Sequence, residues 1–178
     1  MEAMKTISSA SKGTDADDSA VLLKKAREAA VRFIGISTRS SGAVAASLTR
    51  AGFGPDIVEH TVSDLERDGY IRNEVVARRI LKETDERAIE SYVALKSRMT
   101  RLGVPDPIAE QVLAGRPTDV VTAEKLIGAA FPGGPDKTDD PCVRRSQAKR
   151  MVRLLASRGY DPDTIEEAVR KTMGDMDE

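Results

Sequence analysis

Along most of this chain apolar residues recur three and four positions apart, and one short phrase interrupts that rhythm three times. Leu48 and Val44 stand four and eight residues before Gly52, Met99 and Leu95 before Gly103, and Leu155 and Met151 before Gly159. Such spacing lays one apolar stripe along a helix. Each glycine then opens a similar run: GFGPDIVEHTV from Gly52, GVPDPIAEQVL from Gly103 and GYDPDTIEEAV from Gly159. A glycine can end a helix in the left-handed conformation, and Pro55, Pro107 and Pro162 suit the first turn of the next helix. Phe53, Val104 and Tyr160 are expected to pack beneath these corners. No segment alternates with period two for long enough to propose a strand.

The glycines lie 51 and 56 residues apart, which leaves room for about three ordinary helices per interval. The pattern therefore predicts an all-α fold of three tandem three-helix repeats, elongated if the units stack in line. The expected organisation is a flexible N-terminal tail over 1–18, repeat 1 over 19–72, repeat 2 over 73–118 and repeat 3 over 119–178. Helices are predicted at 19–36, 40–51 and 55–68, at 73–83, 86–102 and 107–114, and at 119–130, 141–158 and 162–173. Ser40 is a good N-cap, and Asn73 precedes the opening of a helix. The run FPGGPDKTDDP at 131–141 is a loop inside the third repeat.

Composition narrows the core chemistry. Apolar residues make up 40% of the 178 residues and aromatics 3%, with no Trp, so the interior must be built from Leu, Val, Ile, Ala and Met. Lys plus Arg is 28 against 29 for Asp plus Glu, and a net charge of -1 gives no global argument for nucleic-acid or membrane binding. The distribution is more informative. By formal count residues 21–50 carry about +5, 51–75 about -4, 76–102 about +3 and 103–142 about -4, while 143–160 hold six cations and no acid. Charge on helices usually forms solvated faces and i,i+4 pairs, yet here the sign alternates with the repeat.

Candidate catalytic chemistry is sparse. His60 is the only histidine and falls inside a predicted helix, where a structural role outweighs catalysis. Cys142 is the only cysteine, which excludes an intramolecular disulfide or a multi-thiolate metal site and fits a reducing compartment. Arg144 and Arg145 could lower its thiol pKa, but no supporting motif accompanies it, and a small packing role is expected. Gly133-Gly134-Pro135 lacks the Lys and Ser/Thr of a phosphate loop, and Asp139-Asp140 reads as loop charge. The first 18 residues lack the apolar run of a signal peptide, and no stretch reaches the roughly 18 apolar residues of a membrane span. The expectation is a cytoplasmic, monomeric protein that is not an enzyme, with no cofactor, no metal and no membrane partner.

Three passages are similar to the RecX family. The first runs from Ala30-Val31-Arg32-Phe33-Ile34 through Ser40 to the Gly52-Phe53-x-Pro-Asp corner. The second is Leu65-Glu66-Arg67-Asp68-Gly69-Tyr70-Ile71, followed at Ala77 by a small residue. The third runs from Arg150-Met151-Val152-Arg153-Leu154-Leu155 to Arg158-Gly159-Tyr160-Asp161-Pro162-Asp163. Departures stand at Ser37, where an Arg is usual, at Ala43 in place of a Glu, at Arg72-Asn73 in place of two acids, and at Val76 in place of an aromatic. The resemblance implies a curved, crescent-like array that lies in the groove of the RecA filament on single-stranded DNA. It further implies restraint of the filament's recombinase, ATPase and coprotease activities in DNA repair and the SOS response.

The expected partner-binding surface is the basic side of the first two helices in each repeat: Arg32, Arg39, Arg50, Arg78, Arg79, Lys82, Arg98, Arg101, Arg144, Arg145, Lys149, Arg150 and Arg153. The rival reading is a helical DNA-binding protein whose helix-turn-helix-like units contact phosphates. Balanced charge and the lack of a helix with Arg, Asn and Gln aimed at base edges count against it. Weak, sequence-independent DNA contact fits both readings.

Overall fold

The computed structural model describes residues 11–134 and 140–174. Among these residues there are nine helices and no strand: α1 Ser11–Ile34, α2 Ser41–Arg50, α3 Pro55–Arg67, α4 Asn73–Arg87, α5 Tyr92–Arg101, α6 Asp106–Leu113, α7 Asp119–Ala130, α8 Pro141–Ser157 and α9 Pro162–Met173. The chain divides into two compact units. The first runs to Val76 and adds the turn Leu102–Val104; the second takes Ala77–Arg101 and the chain from Pro105 onward. The division falls inside α4.

The first unit closes around Ala26, Ala30 and Ile34 of α1, Val44 and Leu48 of α2, Val58 and Leu65 of α3, and Ile71, with Phe53 partly buried against them. The second gathers Ala123 and Ile127 of α7, Met151 and Leu155 of α8, and Ile165, Ala168, Val169 and Met173 of α9. All six positions at four and eight residues before the corner glycines are buried. Val104 and Tyr160 are buried beneath their corners. Burial pushes the Tyr160 phenol above its usual range, and its hydroxyl is satisfied by donating to Thr122 Oγ1 at 3.1 Å.

The helix starts show what the corners rest on. Ser40 caps α2 by accepting from the Ala43 amide at 3.2 Å, and its hydroxyl donates to the Leu102 carbonyl. Beside it the Gly42 amide donates to the Gly103 carbonyl at 2.9 Å. Ser91 begins α5 in the same manner, accepting from the Ala94 amide at 3.1 Å while its own amide donates to the Arg158 carbonyl at 3.1 Å. A corner glycine thus sits on a serine-capped helix start in both places. Gly103 has φ +79°, and a Cβ there would fall 2.5 Å from the Ala43 nitrogen; Gly52, at φ +89°, would meet nothing within 4 Å. Gly103→Ala should therefore cost about 2 kcal/mol, backbone strain plus overpacking, and Gly52→Ala about 1 kcal/mol, strain alone. Urea denaturation of the two variants checks this; equal losses would mean that the close approach carries no energy.

Two boundaries differ from expectation by more than two residues. The expected tail 1–18 is corrected at 11–18, which belong to α1: nothing between Ser11 and Ala20 breaks a helix except Gly13, at a cost of about 1 kcal/mol. Residues 1–10 lie outside the described residues. The gap between α4 and α5 falls at 88–91, not 84–85, because Ser91 supplies the cap. Pro141, expected both to end the loop 131–141 and to open a helix, takes the first helical position of α8 behind the N-cap Asp140; residues 135–139 lie outside the described residues.

Candidate interaction surface

Asp140 starts α8 by accepting from the Cys142 amide at 2.8 Å, and Met151 and Leu155 turn one side of the helix into the core. The opposite side carries Arg145, Lys149 and Arg153, all exposed and each four residues from the next. At 1.5 Å per residue these cations stand about 6 Å apart along the axis. Arg150 flanks the stripe with its guanidinium over the Phe131 ring, 5.4 Å from the centroid. No acid occurs anywhere in α8, so no i,i+4 partner neutralises the stripe from within the helix. Arg144 is spent differently: it turns toward the core and donates to the Met173 carbonyl at 3.3 Å, closing the end of α9.

The remaining expected contacts are more dispersed. In the first unit Arg39 lies over Phe33, 5.4 Å from its centroid, while Arg32 is exposed on α1 and Arg50 at the end of α2. Arg27, which was not among the expected contacts, pairs with Asp68 at 2.6 Å and stacks over Tyr70. In the second unit Arg78 and Arg79 are exposed and engaged, and Lys82 stands 3.9 Å from Glu86. Arg98 is tied to Glu90, while Arg101 is exposed. One helix, α8, therefore gathers four of the thirteen on its outward side; Arg98 and Arg144 are occupied within the fold.

Two residues carry chemistry that the sequence concealed. The Arg116 guanidinium is almost wholly buried, donating to the Glu90 carbonyl at 2.6 Å, with Asp85 at 3.3 Å and Asp119 at 3.7 Å. Asp119 in turn accepts the Tyr92 amide at 2.9 Å. The cluster fastens the starts of α5 and α7 to the end of α4. Asn73 is the second: its side-chain oxygen accepts the Ser41 amide at 2.8 Å and its nitrogen donates to Glu66 at 2.7 Å. Cys142 is exposed in the first turn of α8, correcting the packing role expected for it. His60 is exposed and lies 3.5 Å from Asp64, one turn on. Among the described residues no group of three or more His, Cys, Asp or Glu side chains could hold a metal ion, and no helix is long and apolar enough to cross a membrane.

No family model matches the chain. Curated relatives do. The chain is 27% identical over 146 residues to the regulatory protein RecX of Prosthecochloris aestuarii, covering 82% of this chain and 92% of that one. It is 25% identical over 146 residues to the regulatory protein RecX of Trichlorobacter lovleyi, covering 80% and 92%. With the protein of the same name from Geobacillus kaustophilus the identity is 29% over 145 residues; that match takes in 80% of this chain but about half, 52%, of the relative's length. The chain is thus similar to regulatory RecX proteins over about four fifths of its length. The crystal structure of RecX from Lactobacillus salivarius superposes with a TM-score of 0.65 at 18% identity, over 86% of this chain and 97% of that one. A second RecX crystal structure gives 0.66 at 15% identity over 92% and 80%. The all-helical fold is thus the RecX fold, and the relatives carrying it are named as regulatory proteins.

Proposed function

We propose that this RecX-like chain binds the RecA nucleoprotein filament on single-stranded DNA and restrains its recombinase, ATPase and coprotease activities, acting in the cytoplasm as a monomer by contact and without catalysis. The observation that carries this reading is the unneutralised cationic stripe of α8, set on a fold shared with regulatory relatives. A filament presents acidic protein surface and DNA phosphates at regular intervals, and an array of modest charged contacts gains strength from simultaneous engagement. The same reading treats the chain as three tandem three-helix repeats. Its support is the recurrence of a corner glycine seated on a serine-capped helix start, Gly103 at Ser40 and Gly159 at Ser91.

The α8 stripe also suits DNA phosphates alone, so the rival reading is an autonomous DNA-binding protein. A dose series against RecA ATPase on single-stranded DNA, run beside gel-shift titration of naked duplex, separates the two. The expected result is inhibition at doses well below one chain per RecA, with weak and strongly salt-dependent duplex binding. Unchanged ATPase together with tight duplex binding would transfer the function to the rival.

A further inference from the structure

The helix pairs α2–α3 and α5–α6 are built alike around their corners but differ at one seam. Seven residues before the corner glycine stand Ala45 in α2, Lys96 in α5 and Val152 in α8; seven residues after it stand Glu59, Glu110 and Glu166. In α5–α6 the seam is closed from within. The Lys96 ammonium lies 2.6 Å from Glu110 and 3.9 Å from Asp106, and its side chain is 28% exposed. The hydrogen bond to Glu110, reinforced by both carboxylates, holds that ammonium above the usual lysine range. In α2–α3 a methyl group stands where the lysine would be. What remains is an open groove of about 550 Å³ with Ala45, Phe53, Val58 and Val62 among its walls and Glu59 and Glu66 on its rim. Glu66 is engaged by Asn73, whereas Glu59 is exposed and pairs with no described cation.

We propose that this groove receives a lysine or arginine side chain from a protein partner, the aliphatic stem lying along Phe53 and the cation pairing with Glu59. An apolar wall with a carboxylate at its edge is what a snorkelling basic side chain requires. The surrounding segment 51–75, with a formal charge of about -4, disfavours nucleic acid as the occupant. Taking the partner to be a RecA protomer rests on the filament reading above, and it adds a second contact of opposite charge to the α8 stripe.

The test uses the full-length chain with Ala45→Lys, which supplies the missing cation from within. This variant should melt at or above the wild-type temperature, yet bind RecA filaments on single-stranded DNA with a Kd raised roughly tenfold, about the share of one charge-assisted hydrogen bond. Glu59→Gln should weaken binding in the same direction, and Ala45→Ser, which leaves the groove open, should bind as wild type. Undiminished filament binding by both Ala45→Lys and Glu59→Gln overturns the groove while leaving the filament reading standing. A wild-type chain that does not bind the filament overturns that reading, and the groove as a RecA contact with it.

Discussion

Arg116→Ala should be the most damaging single substitution in the second unit, lowering stability by about 3 kcal/mol, since it removes the packing of a nearly buried side chain together with its hydrogen bond and ion pairs. For a chain of this size that loss corresponds to a fall in melting temperature of roughly 6–12 °C. The substitution takes the cation from beside Asp85 and Asp119 and removes a donor from the Glu90 carbonyl. Two Arg116 donors, Nε and Nη1, already lack a hydrogen-bond partner, so Arg116→Met, which keeps the volume and deletes the unsatisfied groups, should cost less than Arg116→Ala. Differential scanning calorimetry of the two variants decides it. Melting of Arg116→Ala within a degree of wild type would mean that the cluster is not an anchor.

Reversing Arg145, Lys149 and Arg153 to Glu together should weaken inhibition of RecA by at least about a hundredfold. Each cation near an anionic surface contributes on the order of 1 kcal/mol, and 1.4 kcal/mol is a factor of ten in affinity. Because the three side chains face away from Met151 and Leu155, circular dichroism should show unaltered helicity. The readout is the concentration for half-inhibition of ATPase at two salt concentrations. Wild-type potency with intact helicity would remove α8 from the working surface, whereas loss of helicity would show that the stripe belongs to the fold.

What the chain disclosed in advance follows from how local each signal is. The glycine corners combine a helix stop, an apolar residue packed beneath it and a proline at the next helix start within five positions, so Gly52, Gly103 and Gly159 could be read without neighbours. The four-residue apolar spacing before them forecast six buried side chains correctly for the same reason. The cap at Ser91 was missed because its neighbours Tyr92 and Val93 resemble the body of a helix, and the deciding partner, the Arg158 carbonyl, lies 67 residues away. Arg116 was hidden by its setting between Gly115 and Pro117, where a cation reads as loop polarity. Asn73, one of the departures from the family pattern, uses its amide to join Ser41 and Glu66, a bridge that an acid there could not donate to.

Charge banding was legible, but not which cations were available. Counting treated Arg98 and Arg144 as equal to Arg145 and Arg153, although the first is tied to Glu90 and the second closes α9. The seam at Ala45 could not be read as an opening until Lys96 was seen to fill its counterpart, because an alanine inside a helix carries no signal of what is missing beside it.

The absence of acids from α8 has a consequence in time as well as in strength. An uncompensated row of cations acts across a Debye length, about 8 Å at physiological salt, and so draws an anionic surface inward before any side chain has touched it. A short-range pocket contact acts only after arrival and governs how long the complex lasts. On the filament reading proposed above, the outward side of α8 shortens the search, and it is the element whose influence salt should erase first.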